Sequence, residues 1–400
     1  MSFVTIELNR MMIVRLLFMV LVTYSCSTSE SHLYEFDPRT LVENKISLAD
    51  IADDIEYIHL DNTLPLGNIY TYRLIDSSIY LSTKDIGIME FNRDGKFIRK
   101  IGALGRGPGE YHYFWFFDID PQTKSVYVLD FNMIKVYSGS GHFQRSISLK
   151  EFDQDYFDNI SFFNEKLLIT NDIHRGQSKY SWIILDTNGI LIKQKYNPIP
   201  TFNSTLESKE GTYLFDNKIF YWEWYNDTVY SILPDLSYKA SFLFSPGEHR
   251  WPKSMIQISA TEAFISLLTN HMQIKLIFET DRFLVIAYGY KKNFIAMIDK
   301  KSKKSYLTTL VQDNNGQTHG GIFNNIDGGI GFQPERYFVE NNREYIIALV
   351  DPSELKTHIE SNEFAEVAPK YPEKKEKLKE LSKSIKETDN PILMLVKLKK

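Results

Sequence analysis

One structural unit recurs along this chain, and the recurrence restricts the folds that the chain can adopt. The segments that begin at Ile79 and Val126 carry the same order of apolar, aromatic and glycine positions, and their second halves align with a constant offset. More divergent copies begin near residues 167, 219 and 283. The starts are about forty to sixty residues apart, a period typical of propeller blades, in which small sheets pack around a central axis.

Each unit contains a strand, a short polar link, a second strand and a hairpin turn. The turns at 92–95 and 186–189 end in glycine, which accepts the positive φ of tight hairpin connections. A sixth unit is expected in the C-terminal part, where 320–332 and 345–350 would supply strands. We therefore predict an all-β fold, a six-bladed β-propeller with a few short helices in insertions and near the C-terminus.

Three segments depart from the strand pattern and predict helices. Asp351 followed by Pro352 places an N-cap and a proline at the first helical position. A second helix is expected at 372–387 and a third at 261–270. Pairing of strands from opposite chain ends usually closes a propeller ring, and 55–60 and 392–398 both have strand character. The sequence leaves open which of these two strands completes which blade.

The N-terminal region has the pattern of a secretory signal peptide. Arg10 and Arg15 precede the apolar run 16–22, which is far shorter than the ~20 apolar residues of a membrane-spanning helix. The run leads to Ser25 and Cys26, the only cysteine of the chain. We predict that Cys26 carries a lipid, as in a bacterial lipoprotein signal. The alternative is a cleaved signal peptide that contains an incidental cysteine.

Composition excludes several classes of function. A net charge of −5 over 400 residues gives no basic field for nucleic-acid binding. A single cysteine excludes disulfides within the chain and a zinc site built from several thiolates. The predicted organisation is a signal peptide at 1–26, a tether at 27–45 and a propeller at 46–400, which includes C-terminal helices at about 352–387 and a closing strand at about 391–398.

A turn rich in glycine and proline, Gly-Arg-Gly-Pro-Gly-Glu-Tyr at 105–111, follows the first unit. It lacks the Gly-Lys-Ser/Thr of a P-loop, and the residues after it favour a strand over a helix. In a structural interpretation, Arg106 and Glu110 anchor the connection between the first two blades. In a functional interpretation, Arg106, Glu110 and Tyr111 line one mouth of the central channel and bind a ligand.

This turn resembles part of a known family of propellers. Together with the hairpin at 91–95, the unit at 126–137 and the segments 324–329 and 390–393, it is similar to the bacterial six-bladed β-propeller lipoproteins related to NHL and TolB-like propellers. The resemblance extends over nearly the whole mature chain. It implies a six-bladed ring at the cell envelope, but little biochemistry, because propellers host many functions.

No catalytic residue is predicted. The histidines are scattered without a His-x-His pair or a His-Glu-x-x-His helix, so a zinc hydrolase has no support. Several aspartates at strand ends could contribute to a calcium or substrate site, although most such residues bond their own turns; they are Asp118, Asp120, Asp130, Asp172 and Asp327. The tryptophans could pack between blades or form a sugar-stacking platform; they are Trp115, Trp182, Trp222, Trp224 and Trp251.

The sequence thus predicts a cell-envelope lipoprotein, at the outer membrane on a side that stays open. Its propeller would be a non-enzymatic binding or scaffold module for a protein, peptide or glycan partner. Membrane contact would come through the lipid on Cys26, with no cofactor or metal except in the calcium alternative. A different class of function is a metal-dependent, lactonase- or lyase-like enzyme with a central-channel site. A purely structural envelope component is a third alternative.

Overall fold

A computed structural model describes residues 34–41, 44–152, 157–171, 178–200, 210–251, 261–312 and 318–400. The chain divides into two units, Met1–Tyr34 and Glu35–Lys400. Tyr34 is the one residue of the first unit within the described ranges. The predicted signal peptide, the predicted lipid attachment at Cys26 and the first part of the predicted tether therefore lie outside the described residues.

Antiparallel strands are the main regular element of the described chain. In chain order they are β1 (Tyr34–Phe36), β2 (Ala52–His59), β3 (Ile69–Ile75), β4 (Ser78–Thr83), β5 (Gly87–Asn92), β6 (Phe97–Ile101), β7 (Phe117–Ile119), β8 (Val126–Asp130), β9 (Met133–Tyr137), β10 (Phe143–Ser148), β11 (Asn159–Phe163), β12 (Lys166–Thr170), β13 (Tyr180–Asp186), β14 (Leu191–Tyr196), β15 (Glu210–Phe215), β16 (Lys218–Glu223), β17 (Asn226–Ile232), β18 (Tyr238–Phe244), β19 (Gln273–Glu279), β20 (Phe283–Tyr290), β21 (Lys292–Asp299), β22 (Ser305–Gln312), β23 (Thr318–His319), β24 (Arg336–Glu340), β25 (Arg343–Val350) and β26 (Ile392–Leu398).

These strands form six sheets, which are the blades of a propeller. Blades 1, 2 and 3 consist of β3 to β6, β7 to β10 and β11 to β14, each in sequence order. Blade 4 consists of β15 to β18 with β1 at its edge, and blade 5 of β19 to β23. Blade 6 has the order β24, β25, β26, β2. The first strands of successive blades contact one another from β3 to β24, so they are the inner strands of the ring. The predicted six-bladed all-β fold is confirmed.

Both terminal strand candidates complete the same blade. β26 lies between β25 and β2 in blade 6, with Leu395 opposite Ile347 on one side and Glu56 on the other. The N-terminal strand β2 is therefore the outer strand of the last blade. This pairing shows that both terminal strands complete blade 6, which the sequence left open. It joins the start of the propeller to its end through backbone hydrogen bonds.

The hairpin between the third and fourth strands of a blade touches the preceding blade. In blade 1, Gly95 has a φ of 81°, and its N–H donates to the carbonyl oxygen of Asn92 at 3.0 Å. A Cβ at this position would lie 2.1 Å from the carbonyl oxygen of His59 in β2, so only glycine fits. The same hydrogen bond recurs in blades 2, 3 and 4, where the donors are Gly141, Gly189 and Leu236. The repeat in the sequence therefore marks contacts between blades.

The apolar core is divided among the interfaces between blades. Buried clusters contain Leu395 and Ile79 across blades 6 and 1, Ile88 and Val126 across blades 1 and 2, Val136 and Ile169 across blades 2 and 3, and Trp182 and Ile219 across blades 3 and 4. A four-stranded sheet has two faces and cannot cover either alone. Adjacent blades therefore stabilise each other.

The described ranges also contain short helices. The α-helices are α1 (Leu48–Ile51), α2 (Thr261–Asn270), α3 (Pro352–Ile359), α4 (Asn362–Glu366) and α5 (Pro372–Ser384), and the 3₁₀ turns are Pro38–Thr40, Lys150–Phe152 and Gly247–His249. The predicted cap is present, since Asp351 accepts a hydrogen bond from the backbone N–H of Ser353 at 2.8 Å. Helix α5 starts as predicted but ends before residue 387, because Ile385 adopts an extended conformation.

The strand predicted at 320–332 is wrong. This segment is a loop with two isolated bridges, one from Ile322 to Phe332 and one from Phe323 to Ser47. The side chain of Asn324 accepts from the N–H of Ile326 at 3.2 Å, and Asp327 accepts from the N–H of Gly329 at 2.8 Å. These side chains bind backbone groups that a strand would use for pairing. The first strand of blade 6 is β24 instead.

Candidate functional site

A cavity of about 840 Å³ lies on the axis where the inner strands converge. Residues of β3, β7, β11, β15, β19 and β24 line it, which is one strand from each blade. The cavity is therefore the central channel of the propeller. Its volume falls within the range of about 300 to 1,000 Å³ that is usual for small-molecule sites.

An ion pair lies in the channel wall between blades 1 and 2. The Nε of Arg73 in β3 donates to Oδ1 of Asp118 in β7 at 3.0 Å. The same oxygen accepts from the backbone N–H of Ile119 at 3.0 Å, and Oδ2 accepts from the backbone N–H of Phe162 in β11 at 2.8 Å. Both oxygens of Asp118 are engaged, and this carboxylate links three blades.

A second guanidinium, that of Arg336 in β24, lies in the same wall. Its Nη2 donates to Oγ1 of Thr71 at 2.7 Å, and Nη1 of Arg73 donates to the same oxygen at 3.0 Å. The Cζ of Arg336 lies 4.9 Å from the ring centroid of Tyr72. Burial and the charge of Arg73 lower the pKa of Arg336 to about 10, so the guanidinium is still a cation at neutral pH.

Glu335 precedes Arg336 in the chain but is bound by other groups. The hydroxyl of Tyr72 donates to its Oε2 at 2.9 Å, and the backbone N–H of Leu349 donates to its Oε1 at 3.4 Å. Burial raises the pKa of Glu335. Glu335 therefore acts on Arg336 through its charge without a hydrogen bond to the guanidinium.

Hydroxyl groups line the wall at blades 3 and 4. The hydroxyl groups of Ser161 and Thr212 lie 2.9 Å apart, and Nδ2 of Asn159 donates to Oγ1 of Thr212 at 3.1 Å. Next to them, the hydroxyl of Tyr213 donates to Oε1 of Glu279 at 2.9 Å, which links β15 to β19. The channel wall thus combines hydroxyl groups and two arginines with several carboxylates, those of Asp118, Asp120, Glu165, Asp216 and Glu335.

The aspartates proposed as calcium ligands bind separate parts of the backbone. The backbone donors are Gln122 for Asp120, Tyr113 for Asp130 and Gly329 for Asp327. Asp172 lies outside the described residues. Among the residues that the structure describes, no three His, Cys, Asp or Glu side chains converge to hold a metal ion. The calcium alternative stays a prediction.

The turn at 105–111 connects blades 1 and 2, and none of its residues lines the channel cavity. Tyr111 is buried, its hydroxyl donates to the carbonyl oxygen of Ile101 at 2.8 Å, and the backbone N–H of Ile88 donates to that hydroxyl at 2.9 Å. Burial raises the pKa of Tyr111 to about 12. This phenol therefore ties the turn to two strands of blade 1.

The two charged residues of the turn differ in their contacts. Glu110 closes the turn on itself, since its Oε2 accepts from the backbone N–H of Gly107 at 2.8 Å. A Cβ on Gly105 would lie 1.9 Å from the same oxygen, which explains the glycine there. Arg106 is exposed to solvent. The geometry suits an anchoring role for Glu110 and Tyr111, and ligand binding by the three residues stays a prediction.

Most tryptophans pack between or beside blades. Trp182 is fully buried in the cluster shared by blades 3 and 4, and the rings of Trp224 and Trp251 lie 4.5 Å apart. Trp115 is different, since 42% of it is exposed and its ring lies 5.1 Å from that of Tyr70. Of the described tryptophans, Trp115 is the one placed to contact a partner from the surface.

A group of buried ionisable residues lies where blades 3 and 4 meet. Glu210 in β15 is paired in register with Glu223 in β16. Burial, with the nearby charges of Asp158 and Glu223, raises the pKa of Glu210 from 4.5 to about 8. Lys195 lies over the rings of two tyrosines, and burial lowers its pKa. No local sequence pattern marks this group, because its members come together only when the strands of blades 3 and 4 pack.

Comparisons with known proteins identify relatives but no activity. A family model described as "Domain of unknown function (DUF4934)" matches residues 33–397. Among solved structures, a protein described as exported, from Bacteroides fragilis NCTC 9343, is similar with 18% identity and a TM-score of 0.67, covering 92% of this chain and 99% of that one. This similarity shows a shared fold. No curated protein matches the chain.

Two further solved structures are more distant. A member of the DUF4221 family from Bacteroides vulgatus has 13% identity and a TM-score of 0.46, covering 87% of this chain and 97% of that one. Virginiamycin B lyase from Staphylococcus aureus has 12% identity and a TM-score of 0.40, covering 73% of this chain and 95% of that one. These low TM-scores carry no argument about function. In the described part of the chain, the helices are too short or too polar to cross a membrane.

Replacement of Tyr111 by Phe should destabilise the protein. The change leaves a buried carbonyl oxygen and a buried N–H without their partner, which costs about 1–3 kcal/mol of the free energy of unfolding. Chemical denaturation measures this difference. Arg106→Ala, at an exposed position of the same turn, is the control and should change the stability by less than about 0.5 kcal/mol. Equal stability of Tyr111→Phe and the wild type would contradict the anchoring role of Tyr111.

Glu210→Gln should change how stability depends on pH. The pKa of Glu210 is higher in the folded protein than its ordinary value of 4.5, so the folded state holds a proton that the unfolded state has lost. Wild-type stability therefore falls as pH rises from about 4.5 to about 8, whereas the glutamine makes no such contribution. In thermal melts, the advantage of the variant over the wild type should grow from pH 5 to pH 8. Glu380→Gln, at an exposed position of α5, should give a constant difference, and the same result for Glu210→Gln would refute the raised pKa.

Proposed function

The chain belongs to the DUF4934 family, and we propose that it is a cell-envelope binding protein, anchored by a lipid on Cys26, whose propeller channel receives part of a protein, peptide or glycan partner. The observation that carries this proposal is the channel itself. All six inner strands border a cavity large enough for a small ligand or a short segment of a larger one. Its wall presents both charged and uncharged hydrogen-bonding groups.

Binding without catalysis fits the way in which two of the channel carboxylates are engaged. Asp118 is held by Arg73 and by two backbone N–H groups, and Glu335 is held by Tyr72 and a backbone N–H. A general base or a metal ligand needs a carboxylate that can reach a substrate or an ion. No specific observation favours the lactonase- or lyase-like alternative, so we do not propose it.

The proposed anchor rests on the N-terminal sequence. Arg10 and Arg15 flank the start of an apolar run that leads to Ser25 and Cys26. A lipid on Cys26 would tether the propeller to an envelope membrane. We propose the outer membrane, which follows from the resemblance to propeller lipoproteins, with the side of that membrane left open.

Narrowing the channel should abolish binding of its ligand. Leu214 in β15 lines the cavity and is 46% exposed, so Leu214→Trp places a large ring in the channel without filling a core position. The purified protein is incubated with the low-mass fraction of an envelope extract, and native mass spectrometry reads the bound mass. We expect one adduct per wild-type chain and none on Leu214→Trp.

The matched control for this experiment is Leu191→Trp. Leu191 lies in β14, the outer strand of blade 3, is 39% exposed and does not line the cavity. This variant should keep the adduct. If wild-type chains carry no adduct, or if Leu214→Trp keeps it, the channel is not the binding site.

Replacement of Cys26 by Ser should prevent lipid attachment. Cys26 is the only thiol of the chain, so no other side chain can take its place. Cells labelled with a radioactive fatty acid should yield a labelled wild-type protein in the membrane pellet and an unlabelled Cys26→Ser variant in the supernatant. Ser25→Ala, which keeps a small residue before the cysteine, should be labelled normally. A wild-type chain without label would exclude the lipid anchor.

A further inference from the structure

The two arginines of the channel have unequal partners. Arg73 forms an ion pair with Asp118, whose oxygens are all engaged. Arg336 makes no ion pair with any residue that the structure describes; its one hydrogen bond there is from Nη2 to Thr71. One positive charge in this part of the wall is thus left without a carboxylate in contact.

The nearest acidic residues, Glu335 and Asp118, act on this charge from a distance but form no ion pair with it. Glu335 is adjacent in the chain, but it is bound by the hydroxyl of Tyr72 and the N–H of Leu349. Asp118 contacts Arg73 and two backbone N–H groups. A charge that is partly removed from water and lacks a counter-charge is costly, and an anion that binds beside it lowers that cost.

The guanidinium of Arg336 is held in a fixed position. Thr71 accepts from one of its terminal nitrogens, and the ring of Tyr72 supports its flat face at 4.9 Å from Cζ. A guanidinium has five N–H donors in a rigid planar fork, which matches the paired oxygens of a carboxylate or a phosphate. Since Thr71 engages only one nitrogen, donors remain for a ligand in the cavity that Arg336 lines.

We propose that Arg336 binds an oxyanion, the carboxylate or phosphate group of the ligand, in the central channel. This inference rests on the proposed function, because it names the chemical class of the group that the channel receives. Thr71 and Tyr72 are positioning residues that orient the guanidinium. Arg73 is paired with Asp118 and is not the main contact.

The test measures the binding of two inorganic or simple anions, phosphate and acetate, to the purified protein. Titration calorimetry and thermal melts are run at pH 7.5 with chloride added to keep the ionic strength equal in every sample. Wild-type protein should bind at least one of the two anions and melt at a higher temperature in its presence. The two anions together distinguish a phosphate from a carboxylate as the preferred group.

Arg336→Gln should raise the dissociation constant for the anion at least about tenfold, because a charged hydrogen-bond donor is lost. Arg336→Lys keeps the positive charge but lacks the planar guanidinium. Its affinity for the anion should lie between those of the wild type and Arg336→Gln. Arg106→Gln is the matched control, since Arg106 is exposed and outside the cavity, and it should bind as the wild type does. The melting temperature of each variant without anion shows that it is folded.

Two outcomes would overturn this proposal. One is the absence of phosphate and acetate binding to the wild type, and the other is unchanged binding to both folded Arg336 variants. Leu214→Trp separates this result from the proposed function, because phosphate is small enough to pass the added ring. If Leu214→Trp binds phosphate and also keeps the envelope ligand, the proposal that this ligand binds in the channel fails. The proposal that Arg336 binds an anion is then still supported.

Discussion

Every blade of this protein has two apolar faces, and only its neighbours can cover them. The buried clusters accordingly lie between blades, as between Leu395 and Ile79 or between Trp182 and Ile219. An open row of such sheets would leave one face bare at each end. The pairing of β2 with β26 in blade 6 prevents this, since it makes the last blade from both ends of the propeller. Closure of the ring then forces the inner strands to converge on an axis.

Convergence on the axis determines which side chains can meet. Residues that line the channel come from all six blades, so contacts there link distant parts of the chain. Arg336 in blade 6 donates to Thr71 in blade 1, and Asp118 in blade 2 accepts from the backbone N–H of Phe162 in blade 3. These polar contacts bind blade to blade where the inner strands are too close for a large apolar core. The same geometry leaves a cavity that a ligand can enter.

The sequence predicted the features that depend on local pattern. The hairpin turns were predicted from their glycines. A side chain at such a position would clash with the neighbouring blade, as a Cβ on Gly95 would clash with the carbonyl oxygen of His59. The cap at Asp351 was found because a helix start has a short, specific signal. The prediction of a strand at 320–332 was wrong. The side chains of Asn324 and Asp327 accept hydrogen bonds from nearby backbone N–H groups, which stabilises a turn instead. The local apolar pattern does not show that competition.

The channel site was missed for a different reason. No local motif marks Arg336, and it lies 265 residues from Thr71 in the chain. The turn at 105–111 drew attention because its composition is unusual, yet Tyr111 and Glu110 of that turn bind the turn itself or blade 1. The unusual composition of this turn reflects the backbone conformation that it adopts. A site on the axis is assembled by closure of the ring, so its residues need no local signature.

The charge of Arg336 forms no ion pair among the described residues, and its one hydrogen bond there is to Thr71. The interfaces between blades are apolar, and a neutral hydrogen-bond donor could satisfy Thr71 without placing an unpaired charge in the wall. Arg73, by contrast, is part of the structure, because Asp118 joins it to the backbone of blade 3. Both arginines donate to Thr71, and both therefore help to hold blades together. Arg336 in addition presents a cation to whatever enters the channel.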